Sequence, residues 1–367
     1  MYNINMSERL AQTIMARYPN PDQYPYKSWS YSQGFMLWGM IKLWEATGDK
    51  KYFDYVMKYS DFHVDETGNI KEFAGDSLDD IMAGSILVWS YSQTGINKYR
   101  LACEKIRSVF NTYPRTAEGA FWHARSLPDE IWVDGVFMGQ MFLGRYGKYI
   151  ADSKTCFSEA VKQVQLIKKY CKKDESGLLV HAWSGNEAVQ WADKNTGCSP
   201  EVWSEGLGWY ALILVETLAL FPDDFPQKEI LENELEYLLE GLKKYQSPKN
   251  GMWYQVVDKG ERPDNWNDTS GSAMFVYAIC KAIQLGYANK ETYGPIALKG
   301  YEGILSKAKV NNQGLIDIYD ACDGLCVQKS YDNYVQYPKC TNAKEAVAAF
   351  LWASGIMDHY KPEHTKG

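Results

Sequence analysis

Residues 35–62 read FMLWGMIKLWEATGDKKYFDYVMKYSDF and contain two helical patterns of different kinds. The first part, FMLWGMIKLW, is apolar on nearly every side, which predicts a helix that is buried all round. The second part, DYVMKYSDF, has a charged face and an apolar stripe, which predicts a helix that covers a core. The short link TGDKKY at 47–52 joins the two and indicates antiparallel neighbours.

This pairing of an amphipathic helix with a fully apolar one recurs six times along the chain. The other apolar segments are IMAGSILVWSY, VFMGQMFL, LGWYALILV, SAMFVYAIC and EAVAAFLWAS. Apolar spacing and helix breakers predict twelve helices and no alternating strand. The helices are expected at about 5–18, 31–47, 50–64, 78–93, 97–111, 131–147, 153–173, 202–220, 227–246, 270–286, 290–307 and 342–360.

Six buried helices covered by six amphipathic ones are typical of an all-α (α/α)6 barrel. The long links are expected at roughly 65–77, 112–129, 174–201, 247–269 and 308–341, and antiparallel neighbours place all of them at one end. An α-solenoid is the alternative, but it does not predict inner helices that are apolar on every side. We therefore expect residues 1–367 to form a single catalytic domain.

Composition narrows the classes of function. The chain has 367 residues, with 46 acidic and 39 basic side chains and a net charge of −7. It contains no basic run or stripe, which argues against a nucleic-acid partner. The aromatic content is high, with 27 Tyr and 13 Trp, and such side chains suit both a large core and stacking on sugar rings.

The compartment can be predicted from the cysteines and the N-terminal stretch. The eight cysteines form no CxxC pair, so free thiols in a reducing compartment are expected. MYNINMSERLAQTIMARYPN has an amphipathic pattern without the regions of a signal peptide. No apolar run approaches the roughly 20 residues that span a bilayer. These features predict a cytoplasmic protein with no membrane partner, or a periplasmic one if a leader has been removed.

Two carboxylates lie near the starts of predicted inner helices. Asp134 interrupts the apolar stretch EIWVDGVFMGQMFL, where an unpaired buried carboxylate is costly. Asp79 lies beside Asp80, which fits an S-x-x-D capping box with Ser77 and leaves Asp79 free. Compensation of the helix dipole is the alternative role for Asp79.

The surroundings of Asp134 decide what it can do. Asp129 and Glu130 are expected to serve that helix end, so Asp134 is not needed as a cap. Trp132 should exclude water from Asp134 and raise its pKa, whereas the helix N-terminus favours the charged form. Two carboxylates at one mouth can divide acid and base roles, because burial and like charge separate their pKa values.

The remaining candidates are a histidine and several aromatic residues. No metal and no cofactor are predicted, because the five histidines lack metal-ligand spacing and no Ser-His-Asp or P-loop signature occurs. His181 lies in GLLVHAWSG on a long link. Trp29 and Tyr31 in KSWSYSQG, and Trp203 and Trp209 in PEVWSEGLGWY, are candidates for sugar stacking. Packing at the barrel mouth is the alternative.

Four stretches together resemble the unsaturated rhamnogalacturonyl hydrolases of glycoside hydrolase family 105. They are SLDDIMAG, EGAFWHARSLPDEIWVDGVFMG, HAWSGNEAVQWADKNTGCSPEVWSEGLGWYA and MWYQVVDKGERPDNWNDTSGS. The resemblance implies an (α/α)6 barrel. It also implies an enzyme that removes a 4,5-unsaturated galacturonic acid from the non-reducing end of pectin or rhamnogalacturonan fragments that a lyase has cut.

The implied chemistry is hydration of the vinyl ether C4=C5 bond. A carboxylic acid protonates C4, water adds at C5, and the resulting hemiketal collapses and releases the neighbouring sugar. By resemblance, Asp134 is the acid/base and Asp79 is the second aspartate. The residues that the resemblance places in contact with the unsaturated sugar are Tyr31, His181, Trp203 and Trp209.

Two positions depart from the family pattern. Family members carry an Arg where this chain has Glu205, and a Lys where it has Ala124. Replacing Arg with Glu inverts a charge near an anionic ligand and costs about 1 kcal/mol or more in a partly desolvated site. The basic residues that are candidates for compensation are Arg125, which is nearest in sequence, Lys194, Lys259 and Arg262.

The leading interpretation is a hydrolase of unsaturated uronyl oligosaccharides that works as a monomer or weak homo-oligomer. One alternative is an inverting (α/α)6 glycosidase on saturated sugars, with its two carboxyl groups about 6.5–9.5 Å apart. The other is a sugar-binding barrel without activity, which Glu205 and Ala124 favour and the presence of both Asp79 and Asp134 opposes.

Overall fold

The computed structural model describes residues 5–26 and 29–359, and most of these residues are helical. The α-helices are α1 (Met6–Arg17), α2 (Tyr31–Thr47), α3 (Lys50–His63), α4 (Leu78–Met82), α5 (Gly84–Thr94), α6 (Asn97–Val109), α7 (Gly135–Tyr149), α8 (Ser153–Cys171), α9 (Ser204–Leu220), α10 (Lys228–Tyr245), α11 (Thr269–Gln284), α12 (Lys290–Leu305), α13 (Tyr331–Val335) and α14 (Lys344–Asp358). The short strands are β1 (Glu130–Trp132), β2 (Ala182–Ser184), β3 (Ala308–Val310) and β4 (Ile316–Ile318).

The helices form two concentric rings. The inner ring consists of α2, α4 with α5, α7, α9, α11 and α14; each packs on the next, and α14 packs back on α2 to close the ring. Outside it, α1 packs on α14, α3 on α2, α6 on α5, α8 on α7, α10 on α9 and α12 on α11. This arrangement confirms the predicted all-α (α/α)6 barrel.

Burial follows the division that the apolar patterns predicted. In the inner helix α9, Ala219 is the only exposed residue. The outer helix α10 buries one stripe, formed by Leu231, Leu235, Leu238 and Leu242, at the spacing of one helix face. The inner ring therefore holds the core, and the outer ring shields it from solvent.

One predicted helix is interrupted. The segment predicted at 78–93 forms α4 and α5, with a break at Ala83. There the Ile86 N–H donates to the Ala83 carbonyl at 3.1 Å, a spacing of three residues in place of the α-helical four. The break is thus a local tightening of the helix.

A second predicted helix begins later than expected. The segment predicted at 131–147 starts its helix at Gly135, because Glu130–Trp132 pairs with Ala182–Ser184 as an antiparallel ribbon. The strands β3 and β4 form another such ribbon. The prediction of no strand was wrong at these places, since three-residue strands are too short to show an alternating pattern.

The long links meet at the end of the barrel where the inner helices begin. The β1–β2 ribbon leads directly into α7 there. A separate apolar cluster holds the link before α14 against the mouth; it comprises Trp203, Val256, Trp266, Cys322, Leu325, Tyr331 and Tyr334. In the described part of the chain, no helix combines the length and apolarity that crossing a membrane requires.

Candidate active site

The starts of the inner helices surround a cavity of about 230 Å³. Its lining consists of Tyr31, Asp79, His123, Trp132, Asp134, Met138, Trp203, Glu205, Trp209, Asp323, Gly324, Leu325, Cys326, Tyr337 and Lys344. Tyr31 is the first residue of α2, and Asp134 directly precedes α7. Glu205 lies in the first turn of α9, and Lys344 begins α14. Barrel closure thus brings residues from distant segments to one cavity.

Asp134 is buried at this cavity, with 7% of the residue exposed. It occupies the N-cap position of α7, but its side chain makes no capping hydrogen bond. The prediction that Asp129 and Glu130 serve this helix end was wrong. Glu130 lies in β1, where its carboxylate accepts a hydrogen bond from Trp132 Nε1 at 3.1 Å, and Asp129 precedes that strand.

His123 lies between the two aspartates. Its Nδ1 is 3.8 Å from Asp134 Oδ2, and its Nε2 is 3.7 Å from Asp79 Oδ2. Burial lowers the pKa of His123, but the charges of Asp79 and Asp134 outweigh this effect and raise the pKa to about 9. Trp132 stacks on the imidazole at a ring distance of 4.1 Å. His123 is therefore a cation held between two carboxyl groups.

The pKa of Asp134 is raised to about 6. Burial is the main cause, as the apolar surroundings of Asp134 predicted, and the nearby Asp79 adds to it. The positive charge of His123 opposes the shift. Asp134 therefore keeps its proton to a higher pH than an ordinary aspartate does.

His181 lies on the other side of Asp134. Its Nε2 is 3.7 Å from Asp134 Oδ1, and its Nδ1 shares a hydrogen bond of 2.8 Å with the Tyr334 hydroxyl. Burial, together with the charge of His123, holds the pKa of His181 well below its ordinary value. The ring is thus neutral, and it can orient Asp134 without adding a charge.

Several polar atoms at this point of the cavity are unpartnered. Among the described residues, buried atoms without a hydrogen bond include Asp79 Oδ1, His123 Nδ1, Asp134 Oδ1 and His181 Nε2. Buried polar groups normally find partners within the protein. Three of these atoms belong to residues that line the cavity, and His181 contacts the lining residue Asp134; together they indicate a site that is arranged for a polar ligand.

Ser77 accepts a hydrogen bond from the Asp80 N–H at 3.1 Å, which confirms the predicted helix cap. The reciprocal half of the capping box was wrong, because the Asp80 carboxylate accepts from the N–H groups of Ala74 and Gly75. Asp79 takes no part in the cap, so its carboxyl group is free to face the cavity.

Three of the predicted aromatic residues line the cavity, namely Tyr31, Trp203 and Trp209. The Trp203 ring lies 4.5 Å from that of His181. Trp209 also packs on Phe35 at 4.4 Å, so it belongs to the core as well as to the cavity wall. These flat faces could contact a sugar ring.

Three predicted site residues do not line the cavity. Trp29 donates from Nε1 to the Asp80 carbonyl at 2.6 Å and stacks on Tyr59, so it packs behind the α4 turn. The Arg125 guanidinium lies over the Tyr113 ring, 5.2 Å from its centroid. Neither Trp29 nor Arg125 lines the cavity, and His181 contacts the cavity wall only through Asp134.

Glu205, the acid at a position where the resemblance implies Arg, is 1% exposed. It accepts a hydrogen bond from the Ser270 hydroxyl. Its pKa lies well above the ordinary value, because burial and the neighbouring Glu345 and Asp268 disfavour the charged form. Glu205 therefore favours the neutral state and does not place a full negative charge in the cavity.

Sequence reasoning missed two cations of the cavity. His123 lies in the FWH motif, but no spacing connects it with Asp79 or Asp134. Lys344 stands in the first turn of a predicted inner helix, where the helix dipole opposes a positive charge. This unfavourable helix position could have identified Lys344 from the sequence, because a residue that contradicts a local structural preference often has a functional role.

Asp79, His123 and Asp134 could hold a metal ion. Each offers one ligand atom, and these atoms lie within 4.8 Å of one another. The three residues come from separate segments, so the search for ligand spacing in the sequence could not detect them. The absence of a metal from the working enzyme stays a prediction.

Comparison with known proteins places this geometry in a family. Residues 6–360 match Glycosyl Hydrolase Family 88. A family 105 glycoside hydrolase from C. acetobutylicum is 31% identical; the alignment covers 97% of this chain and 99% of that chain, with a TM-score of 0.91. The unsaturated glucuronyl hydrolase from Bacillus sp. GL1 is 14% identical over 95% of this chain and 96% of that chain; its TM-score of 0.69 shows the same fold.

A curated relative aligns with a shorter part of the chain. The 24.9 kDa protein in picA locus of Rhizobium radiobacter is 37% identical over 118 residues, which are 32% of this chain and 50% of that protein. The chain thus spans about half the length of the curated relatives it matches. The match over residues 6–360 and the near-complete alignment with a family 105 structure carry the assignment. The chain belongs to the glycoside hydrolases of families 88 and 105.

Proposed function

We propose that this enzyme removes a 4,5-unsaturated uronic acid from the non-reducing end of lyase-generated oligosaccharides, with unsaturated galacturonyl groups of pectin and rhamnogalacturonan as the leading substrates. The observation that carries the proposal is Asp134, a buried carboxyl group whose pKa is raised to about 6 at the wall of a cavity that suits a single sugar ring. A general acid needs a pKa near the working pH.

In this proposal, Asp134 donates its proton to C4 of the vinyl ether. Water adds at C5 and returns a proton to Asp134, so the carboxyl group is regenerated. The hemiketal at C5 then collapses to a ketone, which breaks the bond from C5 to the ring oxygen and leaves a hemiacetal at C1. Breakdown of this hemiacetal to an aldehyde releases the neighbouring sugar with its hydroxyl group restored. Asp79 and His123 face the same point and can hold the water through charge-assisted hydrogen bonds.

Binding of the sugar is assigned to the aromatic wall, and His181 is assigned the positioning of Asp134. Tyr31, Trp203 and Trp209 offer faces for the sugar ring, and His181 orients Asp134 from behind. The family assignment supports hydrolysis of a glycosidic linkage. The resemblance of the stretches around Asp79 and Asp134 to family 105 supports the unsaturated uronide.

The spacing of the carboxyl groups argues against an inverting glycosidase. Inversion needs two carboxyl groups about 6.5–9.5 Å apart, so that a water fits between one of them and the sugar. Here, the potential ligand oxygens of Asp79 and Asp134 lie within 4.8 Å of each other, and His123 contacts both. One acid/base with a charged neighbour fits this spacing better than two independent catalysts.

The test uses pairs of disaccharides that differ only in the C4=C5 bond. The protein is mixed with unsaturated disaccharides that lyases release from galacturonic acid and glucuronic acid polymers, and the ultraviolet absorbance of the conjugated bond is followed together with release of the partner sugar. We expect the absorbance of an unsaturated disaccharide to be lost, and we expect no partner sugar to be released from its saturated counterpart. Cleavage of the saturated sugars alone would establish the glycosidase alternative, and binding without turnover would establish the inactive barrel.

The control variant is Asp223→Asn, because Asp223 is exposed and pairs only with Lys228 at the surface among the described residues. It should consume the unsaturated substrate at the rate of the unmodified enzyme. A comparable loss in this variant and in an Asp134 variant would show that the assay reports general damage rather than the chemistry of Asp134.

A further inference from the structure

Lys344 is the only Lys or Arg that lines the cavity within residues 5–26 and 29–359. Its Nζ is 2.9 Å from Glu345 Oε1 and 3.3 Å from Asp323 Oδ1, and it also donates to the Asp323 carbonyl at 3.3 Å. The side chain is 15% exposed, so it is largely held in the wall. The other cation of the cavity, His123, is held between Asp79 and Asp134, so Lys344 marks a second place where a negative ligand group can bind.

The helix position of Lys344 is unfavourable by itself. It is the first residue of α14, where the partial positive charge of the helix N-terminus repels a cation. Burial also lowers the pKa of Lys344, but the negative charges of Glu345 and Asp323 outweigh burial and raise it. Lys344 therefore stays charged at a place where a structural residue would usually be neutral or acidic.

The basic residues that the sequence suggested for compensation pair elsewhere. Lys259 pairs with Glu201 at 2.6 Å, and Arg262 pairs with Asp264 at 3.3 Å. Lys194 is exposed and donates to a backbone carbonyl at 2.6 Å. None of these three described side chains lines the cavity, so none of them reaches a sugar bound there.

The surroundings of Lys344 leave room for a ligand. Gly324 lies against it with φ +61°, and a Cβ at this glycine would stand 3.4 Å from Lys344 Nζ, 3.0 Å from Glu345 Oε1 and 3.4 Å from the Tyr31 hydroxyl. A side chain at position 324 would therefore crowd these three groups. In addition, Glu345 Oε2 is buried and, within the described part of the chain, has no hydrogen-bond partner.

Glu205 does not add a full negative charge to the surroundings of Lys344. Glu205 and Lys344 line the same cavity, and Glu205 favours its neutral state for the reasons given above. A neutral carboxyl group can donate a hydrogen bond to an anion, which an ionised one cannot. The exchange of a family Arg for Glu205 thus leaves a cavity that can still accept a carboxylate beside Lys344.

We infer that Lys344 binds the carboxylate of the unsaturated uronic acid and so sets the preference of this enzyme for a free acid over a neutral sugar. The inference rests on the proposed function. The substrate carboxylate replaces the two contacts of 3.3 Å that Lys344 makes with Asp323, which are long for charge-assisted hydrogen bonds. Lys344 keeps its 2.9 Å contact with Glu345.

The test compares the unsaturated galacturonosyl disaccharide with its C6 methyl ester. Both carry the C4=C5 bond, but only the acid has a charge at C6. The readout is the ratio of kcat/KM for the acid to kcat/KM for the ester, which cancels effects on folding. In Lys344→Met we expect this ratio to fall about 10- to 100-fold, mainly through KM for the acid, because a charged hydrogen bond is lost.

Two further variants complete the test. Lys344→Arg keeps the charge and should restore most of the preference, whereas Lys194→Met removes an exposed lysine and should keep the ratio of the unmodified enzyme. An equal loss on acid and ester in Lys344→Met would mean that Lys344 only supports the structure, and it would overturn the inference. Failure of the unmodified enzyme on both compounds would overturn the proposed function, and the inference with it.

Discussion

The barrel buries carboxylates at both of its ends, and their surroundings differ. Near the end where the inner helices finish, Glu216 is 4% exposed and receives bonds from Lys42 at 2.8 Å, Tyr277 at 2.6 Å and Arg145. Burial raises the pKa of Glu216, but the charges of Lys42 and Arg145 outweigh it and hold the pKa well below its ordinary value. This carboxylate is ionised and fully paired.

At the end where the inner helices begin, the buried acids Asp134 and Glu205 lack such partners. In the described residues, no Lys or Arg bonds to Asp134 or Glu205, and the pKa of each is raised by burial. An unpaired buried acid weakens a fold, whereas a paired one is tolerated. The paired carboxylate Glu216 therefore stabilises the barrel, whereas the unpaired acids Asp134 and Glu205 are available for chemistry in the cavity.

The largest effect is expected at the unpaired end. Asp134→Asn removes the proton donor and should lower kcat on an unsaturated disaccharide about 10⁴-fold, because the same group serves as acid and base. The melting temperature should not fall, since a neutral amide is easier to bury than a carboxyl group without a partner. Full activity in this variant would contradict the proposed mechanism.

At the end of the barrel where the buried carboxylate is paired, a substitution should lower the stability of the fold. Glu216→Gln leaves Lys42 and Arg145 as buried charges without a counter-charge, so the free energy of unfolding should fall by about 3–5 kcal/mol. Urea unfolding measures this change. The control is Glu236→Gln on the outer surface, which should change the free energy of unfolding by less than about 0.5 kcal/mol. Equal stability of the two variants would refute the comparison.

The pH dependence of kcat/KM tests the raised pKa of Asp134. Asp134 is protonated below a pKa of about 6 and ionised above it. Activity that needs the acid form should therefore fall about tenfold for each pH unit well above this value. A rate that stays level from pH 6 to pH 8 would show that the acid form of Asp134 is not required.

Two variants should shift the pH at which kcat/KM begins to fall, and they should shift it in opposite directions. Asp79→Asn removes a negative charge that raises the pKa of Asp134, so the fall in activity should begin at lower pH. His123→Gln removes a positive charge that lowers this pKa, so the fall should begin at higher pH. Shifts in the same direction would contradict the arrangement of charges around Asp134.

The smallest effect is expected from metal removal. Asp79, His123 and Asp134 have the spacing of a metal site, but the proposed hydration needs only their protons and charges. Dialysis against a chelator should leave kcat on the unsaturated disaccharide unchanged. Loss of activity that returns on addition of a divalent cation would assign these three residues to a metal.

The sequence predicted the rings of the barrel well, because the apolar patterns of the inner and outer helices differ over many residues. It could not predict the β1–β2 ribbon, since three residues carry no measurable period. Asp79 and Asp134 were found as carboxylates at helix starts. The place of Lys344 beside Glu205 depends on closure of the ring by α14, and nothing in the local sequence of either residue indicates the other.

Arg125 shows the limit of reasoning from sequence neighbours. It was the nearest cation to the departures from the family pattern, yet its guanidinium packs on Tyr113. The cation that lines the cavity comes from the start of the last inner helix, far along the chain. The single catalytic domain over residues 1–367, the monomeric or weakly oligomeric state and the cytoplasmic location stay predictions.

The most direct test of the account follows the proton that Asp134 is proposed to donate. The unsaturated disaccharide is converted in deuterium oxide, the reaction is stopped early, and the released uronide is analysed by mass spectrometry and NMR. We predict deuterium at C4 and loss of the C4=C5 bond in step with release of the partner sugar, and no release by Asp134→Asn. A released uronide that keeps its C4=C5 bond and carries no deuterium would contradict it.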